Sequence, residues 1–283
     1  MKKEKENYMP HRAEIVDIIQ ETGANLNIKT YHLRLLDEDK NVLDFEPGQF
    51  LMLTAFGVGE APYGFASSPE NDEYIKVSVK KVGKVTTALH DMKEGDVVGV
   101  RGPYGNSFPV EETKGKNVVF VGGGIGVAPL RSIMEYVLDP SHRDKFGKVQ
   151  MLHGFRSPDD MLYGYDHRRW EDAPDTTVKF TIDEHCEGWD RCVGFPHNLI
   201  DDELECTVED TIYYTCGPPI MIKAVIDKLT DMGIEPENII TTLEMRMSCG
   251  MGKCGKCNIG HRYVCKDGPV FSYSELKEMP DEY

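Results

Sequence analysis

Half of the chain's eight cysteines fall within an eighteen-residue stretch near its C-terminal end, at residues 248–265. Four, two and seven residues separate successive members of this group, which comprises Cys249, Cys254, Cys257 and Cys265. Four glycines in the same stretch permit the positive φ angles of a tight loop and leave backbone N–H groups free to bond sulfur. Lys253 and Lys256 add positive charge. Such a loop holds several thiolates close together, which is the arrangement of a metal centre.

The spacing of the first three cysteines resembles that of plant-type ferredoxins, in which a C-x4-C-x2-C run binds a two-iron cluster. The resemblance implies a [2Fe–2S] cluster held by all four cysteines. One difference concerns the fourth ligand, because Cys265 follows after only seven residues, whereas in plant ferredoxins it lies much further along the chain. We therefore expect a compact lobe at residues 248–283 in place of a full ferredoxin domain.

Two other uses of these thiols compete with the cluster. A structural zinc site also takes four thiolates, but its usual spacing is two close pairs. Disulfides belong to oxidising compartments, and the charged N-terminal sequence carries no apolar segment typical of a secretion signal. We expect a cytoplasmic protein. Three further cysteines show no ligand-like grouping, namely Cys186, Cys192 and Cys206.

Composition excludes some classes of function. At 283 residues, with 40% hydrophobic and 28% charged residues, the chain is long enough for two ordinary globular domains and the lobe. A net charge of −16 argues against a nucleic-acid surface, which needs clustered lysine and arginine. The longest apolar run, residues 118–130, is interrupted by four glycines and is too short to span a membrane.

The first third of the chain alternates short apolar strands with Gly, Pro, Asn and Asp. This pattern, with one short helical segment, predicts an antiparallel β-barrel over residues 1–110. Two of its segments, APYGFASS at residues 61–68 and GKVTTAL from Gly83, resemble the flavin signatures of the ferredoxin-NADP reductase family. The resemblance implies FAD, with an aromatic side chain on the isoalloxazine and the pyrophosphate at a helix N-terminus. The implied FAD-binding residues are Tyr63, Gly64, Phe65, Ala66, Ser67, Gly83, Val85, Thr86 and Thr87.

This chain departs from the family pattern at two positions. Ala61 replaces the arginine that pairs with the pyrophosphate, and Gly64 replaces the motif serine. Lys80 and Lys81, just before the second signature, are the candidate replacements for that arginine. Tyr63 also has a plain interpretation as a half-buried barrel aromatic.

From Lys116 onward, strands and helices alternate, which predicts a parallel α/β sheet over residues 111–247. An apolar strand leads into a glycine turn and then a helix, the arrangement that brings a pyrophosphate to a helix N-terminus. The candidate nucleotide-binding glycines are Gly122, Gly123, Gly124 and Gly126. Glycines also occur in such turns simply because the packing is tight.

The segment TIYYTCGPPIM at residues 211–221 resembles the family element that closes over the nicotinamide. The resemblance implies that Cys216 lies at the point of hydride transfer and shapes the pocket, while Gly217 and Pro218 let the ring approach. A buried structural cysteine is the alternative. Arg156, after the second predicted strand, is a candidate for the adenosine ribose region. Pairing with a 2′-phosphate would favour NADPH, but an arginine at a strand end is more often simply solvated, so NADH and NADPH both stay open.

Residues 244–273 look like the end of the gamma subunit of cytosolic sulfhydrogenases. They are similar also to the B subunit of anaerobic sulfite reductase, to flavin subunits of heterodisulfide reductase-like complexes and, more distantly, to the electron-transfer subunit of dihydroorotate dehydrogenase. The resemblance implies an oxidoreductase subunit that moves electrons between NAD(P)H and a partner redox subunit through FAD and the cluster. The alternatives are a reductase component of an oxygenase and a non-catalytic, zinc-bearing docking subunit.

Overall fold

The computed structural model describes residues 8–36, 42–206 and 210–280. The N-terminal part is a six-stranded sheet in which every neighbouring pair is antiparallel. Its strands are β1 (His11–Gln20), β2 (Ile28–Leu35), β3 (Phe50–Ala55), β4 (Gly59–Gly64), β5 (Ile75–Lys80) and β6 (Val97–Tyr104), in the order β4-β3-β6-β1-β2-β5. Helix α1 (Lys84–His90) follows β5. Alternate side chains such as Ile15, Leu33, Val77 and Val98 are fully buried inside the curved sheet, as the two-residue period of strands requires.

The predicted antiparallel sheet is confirmed, but strand pairing does not close it into a complete barrel. The edge strands β4 and β5 share no ladder in the described residues. The chain leaving β4 nevertheless reaches β5, where Ala66 N donates to Lys76 O at 2.9 Å and Lys76 N donates to Ser67 Oγ at 3.1 Å. The sheet therefore curls until its two edges meet at these two hydrogen bonds.

The middle of the chain forms a sheet of six strands, which β15 (Val270–Ser272) from the C-terminal end extends to seven in the order β10-β9-β8-β7-β11-β12-β15. All neighbouring pairs are parallel except the last, which confirms the predicted α/β arrangement. The strands are β7 (Asn117–Gly123), β8 (Val149–Phe155), β9 (Thr176–Ile182), β10 (Cys192–Val193), β11 (Thr211–Cys216) and β12 (Ile239–Thr242). The helices are α2 (Val110–Thr113), α3 (Val127–Leu138), α4 (Gly164–Glu171), α5 (Pro196–Glu203) and α6 (Pro219–Asp231). No helix in the described ranges is long and apolar enough to cross a membrane.

The strand order of this sheet creates a crevice. From β7 the chain adds β8, β9 and β10 on one side and then returns to place β11 and β12 on the other. Ligands of open α/β sheets bind outside the carboxyl ends of the strands at such a reversal. The reversal falls between β7 and β11, whose following turns carry the glycine run and the segment beginning at Cys216.

The C-terminal residues are built onto both preceding parts. They contain the hairpin β13 (Asn258–Ile259) and β14 (Arg262–Tyr263), then α7 (Val264–Asp267), β15 (Val270–Ser272) and α8 (Tyr273–Leu276). Strand β15 pairs antiparallel with β12 and so extends the α/β sheet. On the other side, Phe50, Met52 and Tyr104 of the first sheet pack into the apolar cluster of this segment. Asn106 adds hydrogen bonds between its side chain and the backbone of Val270, at 2.8 and 2.9 Å.

A buried arginine joins the first sheet to the α/β part. Arg131 of α3, which is 3% exposed, donates to the carbonyl of Ala66 and to Asp166 Oδ2 at 2.6 and 3.1 Å. Burial by itself would lower the pKa of this guanidinium, but Glu135 and Asp166 raise it, and the net shift is upward. Close by, Tyr163 Oη lies 2.6 Å from Ser78 Oγ of β5. Arg131 therefore stays charged and fixes α3 against the segment that follows β4.

We expect Arg131→Met to lower the free energy of unfolding by about 3 kcal/mol, the lower end of the range for removing one partner of a buried ion pair. Arg169, which also bonds Asp166 at 2.8 Å, keeps that carboxylate from being left wholly unpaired. Denaturant titration measures the change. Arg168→Met is the matched control, because Arg168 is 92% exposed in its pair with Asp172 and its loss should cost less than about 0.5 kcal/mol. Equal effects of the two changes would contradict this interpretation.

Candidate functional site

Residues 248–265, here called the cysteine loop, bring their four thiols near one another. The thiols of Cys249 and Cys254 act on each other, as do those of Cys257 and Cys265, and Cys249 acts more weakly on Cys265. A two-iron cluster with four cysteine ligands has two thiolates on each iron, so paired thiols fit its donor set. In the residues described, no group of three or more His, Cys, Asp or Glu side chains is arranged so that it could hold a single metal ion.

Backbone N–H groups of the cysteine loop point at sulfur. Cys249 Sγ accepts from the N–H groups of Met251, Lys253 and Cys254 at 3.2 to 3.4 Å, and Cys265 Sγ accepts from Gly252 N at 3.0 Å. Burial raises the pKa of Cys249, but these N–H donors outweigh burial and lower it to about 7. For Cys265, burial and then the Cys257 thiol raise the pKa to about 12. The loop thus stabilises thiolate character at Cys249, the form that binds metal.

The loop's glycines are required by its shape and by its packing. Gly250 has φ +76° and faces Tyr104 so closely that a Cβ would lie 2.9 Å from the ring. Gly252, Gly255 and Gly260 also have positive φ. Burial across the loop is uneven, since Cys257 and Cys265 are buried whereas Cys254 is exposed. The side of the four-cysteine cluster that carries Cys254 therefore faces solution.

Residues 61–68, here called the flavin-signature segment, lie at the junction of the first sheet and the α/β part. The Tyr63 hydroxyl is buried and has no hydrogen-bond partner within the described residues, and burial raises the pKa of Tyr63. Gly64 faces Pro129 of α3, whose Cβ and Cγ would lie 3.4 Å from a Cβ at this position. Phe65 points into the core of the first sheet and stacks on Phe45, with ring centroids 3.8 Å apart.

The backbone groups of this segment are partly used by the protein itself. The Ala66 carbonyl accepts from Arg131, the Ala66 N–H bonds Lys76, and Ser67 Oγ accepts from Lys76 N. Residues 61–64 pair with β3 along one side, and β4 is an edge strand, so the groups left for a ligand are the backbone groups on its unpaired side and the buried Tyr63 hydroxyl.

The second flavin signature forms the start of α1, next to the first. A Cβ on Gly59 at the start of β4 would lie 3.2 Å from Val85 Cγ2, so α1 lies over that strand. The Thr86 hydroxyl accepts from the N–H groups of Val82 and Gly83 at 2.9 and 2.8 Å and donates to Gly83 O. Because the N–H groups of a helix's first turn have no partner inside the helix, those of residues 84–86 stay available for an anion. Thr87 is half-buried beside them, and Lys80 is half-buried at the end of β5.

The glycine run after β7 separates into two roles. Gly122, Gly123 and Gly126 are closely packed: a Cβ on Gly122 would lie 2.8 Å from Val127 Cγ2, one on Gly123 would strike Met221, and one on Gly126 would lie 2.5 Å from Gly217 N. Gly124 differs, because it has φ +53° and no atom within 4 Å of its Cβ position. The predicted alternative of tight packing thus holds for three of the four glycines, and Gly124 is the one with open space at its Cβ position.

The segment after β11 forms the other wall of the crevice. Cys216 is buried, and Thr242 Oγ1 donates to its Sγ at 3.0 Å. Burial raises the pKa of the Cys216 thiol to about 12, so it is neutral and not a nucleophile at ordinary pH. Gly217 lies against Gly123, with its Cβ position 3.3 Å from Gly123 Cα, and Pro218 is exposed at the rim.

Arg156 follows β8 and is exposed at the carboxyl edge of the sheet. Burial raises the pKa of Asp183 after β9, and Arg156 opposes that shift. Glu184 and Asp160 act on the same carboxyl group, so Arg156 lies among carboxylates. The structure brings it to the same edge as the two glycine turns, but not into contact with them.

Sequence reasoning missed three residues that connect these places. Arg131 ties α3 to the flavin-signature segment, Arg101 of β6 contacts Glu60 and the carbonyl of Cys249, and Thr242 bonds Cys216. A signal was present for the two arginines, because each charge interrupts an otherwise apolar strand or helix face. Thr242 carried no such signal.

Three family descriptions match successive parts of the chain. They are an oxidoreductase FAD-binding domain at residues 16–108, an oxidoreductase NAD-binding domain at residues 120–227, and the iron-sulfur cluster binding domain of dihydroorotate dehydrogenase B at residues 244–277. They correspond to the three regions whose geometry is described above.

Relatives cover nearly the whole chain. Sulfhydrogenase 1 subunit gamma of Pyrococcus furiosus is 37% identical over 280 residues, covering 96% of this chain and 94% of the relative. The probable dihydroorotate dehydrogenase B (NAD(+)) electron transfer subunit of the same organism is 35% identical over 250 residues, covering 88% and 86%. A solved chain from the NADH-dependent reduced ferredoxin-NADP oxidoreductase superimposes with a TM-score of 0.73 at 25% identity, covering 96% of this chain and 93% of that one. The chain therefore belongs to the family of FAD- and NAD-binding oxidoreductases with a C-terminal iron–sulfur domain that includes sulfhydrogenase gamma subunits and dihydroorotate dehydrogenase B electron-transfer subunits.

Proposed function

We propose that this chain is the electron-transfer subunit of a multisubunit redox complex and moves electrons between NAD(P)H and a partner redox subunit. When bound, the nicotinamide exchanges a hydride with FAD, and a [2Fe–2S] cluster carries electrons one at a time. The observation that carries the proposal is continuity: side-chain contacts join α3, which follows the glycine turn, to the flavin-signature segment, and join strand β4, in which that segment begins, to the cysteine loop. The proposal covers both NADH and NADPH. A reduced cytoplasm suits the chain, because all eight of its cysteines are free thiols.

The crevice between the turns after β7 and β11 is the proposed nucleotide site. Gly124 leaves room for a pyrophosphate at the start of α3, while Gly122, Gly123 and Gly126 let the two turns meet. Cys216, held neutral and oriented by Thr242, shapes the wall beside the nicotinamide without exchanging a proton. Gly217 and Pro218 keep the rim free of side-chain bulk, and Arg156 is assigned to the adenosine end.

The flavin is assigned to the segment between this crevice and the cysteine loop. Tyr63 supplies an aromatic face and a buried hydroxyl without a partner, and Gly64 leaves space beside Pro129. The N–H groups of residues 84–86 provide the anion site for the pyrophosphate. The remaining proposed contacts are Phe65, Ala66, Ser67, Lys80, Gly83, Val85, Thr86 and Thr87.

The cluster is assigned to Cys249, Cys254, Cys257 and Cys265. Thiolates bind iron, and the N–H donors to Cys249 and Cys265 stabilise their negative charge. The exposed Cys254 marks the edge at which a partner subunit approaches.

A visible absorption spectrum of anaerobically purified protein tests the proposal. Bound flavin and iron–sulfur cluster give overlapping visible bands, and metal analysis should find iron at the cysteine loop. Zinc alone leaves the protein colourless and would support a non-catalytic docking subunit. Proteins that co-purify with the chain identify the acceptor, and an oxygenase among them would favour the alternative of an oxygenase reductase.

We expect Cys257→Ser to abolish electron delivery to the partner while NAD(P)H still reduces the flavin. Loss of a buried ligand should reduce delivery by more than the roughly 10- to 100-fold typical of outer-shell changes. Stopped-flow flavin reduction and partner reduction are measured separately. Cys186→Ser is the matched control, since Cys186 lies outside the cysteine loop. Equal loss of both activities in Cys257→Ser would contradict the assigned order of carriers.

We expect Gly126→Ala to weaken nucleotide binding and to lower the free energy of unfolding by about 1–3 kcal/mol, because the added methyl would strike the backbone at Cys216 and Gly217. Binding titration with NADH and denaturant unfolding measure the two effects. Gly164→Ala is the control, because its Cβ position has no atom within 4 Å. Normal NADH binding by Gly126→Ala would place the nucleotide elsewhere.

We expect the pH profile of flavin reduction to contain no ionisation of Cys216. With a pKa of about 12, this thiol stays protonated throughout the range of about pH 6 to 9 in which enzymes are usually assayed. Cys216→Ala should therefore change the rate but leave the shape of the profile intact. An inflection near neutral pH that disappears in Cys216→Ala would show that the thiol acts as an acid or base.

A further inference from the structure

Arg101 is a buried arginine of β6 in the first sheet, and it is 6% exposed. Its guanidinium forms two hydrogen bonds with Glu60, from Nη2 to Oε1 at 2.6 Å and from Nε to Oε2 at 3.0 Å. A third donor, Nη1, reaches Tyr104 Oη at 3.0 Å and the carbonyl of Cys249 at 3.3 Å. One planar group thus binds two strands and the cysteine loop at once.

The partners of Arg101 belong to two different sites. Glu60 lies in β4 immediately before the flavin-signature segment. Cys249 is the first cysteine of the cysteine loop, and its sulfur accepts three backbone N–H bonds. Neighbouring packing follows the same line, because Gly250 lies against Tyr104 and Met52. Arg101 is therefore the side chain that bridges the strand assigned to flavin and the loop assigned to the cluster.

The charge of Arg101 is held in place. Arginine remains charged in folded proteins, and the Arg101 guanidinium is fixed by two hydrogen bonds with Glu60 and one with Tyr104. The pair is not electrically neutral as seen from the loop, because the guanidinium is the member that touches the Cys249 carbonyl. Glu60 lies behind it, on the side of β4.

We propose that Arg101 is a positioning residue that docks the cysteine loop on strand β4 and raises the reduction potential of the cluster. The inference rests on the proposed function. A one-electron reduction adds negative charge to the cluster, and a fixed positive charge nearby favours the reduced form. Net charge and hydrogen bonding around the sulfurs are the protein's means of setting cluster potentials.

If this assignment holds, neutralising Arg101 and neutralising Glu60 should shift the reduction potential of the cluster in opposite directions. Neutralising the cation in Arg101→Gln should lower the potential of the cluster. Neutralising the anion in Glu60→Gln removes the negative charge that offsets part of the guanidinium's field and should raise it. A residue that served only to hold the loop would give shifts of the same sign, or none, because both changes break the same ion pair.

The test is a redox titration of the cluster in the full chain with its cofactors, followed by electron paramagnetic resonance. We expect each variant to change the equilibrium between oxidised and reduced cluster about tenfold, which is about 59 mV for a one-electron couple, with Arg101→Gln downward and Glu60→Gln upward. The double variant should return toward the unmodified protein. Arg34→Gln is the matched control, because it breaks the partly exposed Arg34–Glu14 pair of the same sheet, at 3.0 Å, and should leave the potential unchanged.

Shifts of the same sign, or no shift in either variant, would overturn the inference. If Arg101→Gln fails to retain iron, the inference is tested with Glu60→Gln and Arg101→Lys. An upward shift of the cluster potential in Glu60→Gln, together with a potential near that of the unmodified protein in Arg101→Lys, supports the inference. Any other result overturns it. Absence of iron from the unmodified protein would refute the proposed function itself. Normal iron and flavin content with unmoved potentials would refute only the role of Arg101.

Discussion

The guanidinium of Arg131, a residue of α3, donates a hydrogen bond to the carbonyl of Ala66. The separation between the proposed nucleotide site and the flavin-signature segment depends on this contact. The same helix begins at the glycine turn of the crevice and places Pro129 against Gly64. An α-helix is stiff over a few residues. The turn at the proposed nucleotide site and the flavin-signature segment are therefore held at a fixed separation, as hydride transfer between two bound rings requires.

Strand β4 and the flavin-signature segment that begins within it are anchored from two directions by buried arginines. Arg131 approaches from the α/β part and Arg101 from β6, and each combines a carboxylate with a backbone carbonyl. Arginine suits both places because its planar fork supplies several donors and remains charged when buried. A lysine in either position would supply one point of charge and fewer directed bonds.

The four cysteines of the C-terminal segment can lie close together in the chain because the two preceding sheets support the loop that carries them. Strand β15 covers the edge of the α/β sheet at β12, which would otherwise expose unpaired backbone groups. Asn106 binds the backbone at Val270, and Phe50, Met52 and Tyr104 supply the apolar floor beneath the cysteine loop. A full ferredoxin domain supplies these supports itself; here two neighbouring sheets supply them.

The sequence by itself determined the features that depend on neighbours in the chain: the cysteine spacing, the alternation of strands and helices, the glycine turn before α3 and the helix start at Gly83. Only the tertiary structure decided the features that depend on distant partners. It showed that the edges of the first sheet meet through two hydrogen bonds, that β15 joins the α/β sheet, and that three of the four glycines serve packing. Arg101 gives the physical reason most clearly. Its partners lie 41 and 148 residues away in the chain, at Glu60 and Cys249, and a local pattern cannot reveal which buried charge meets which partner before the chain has folded.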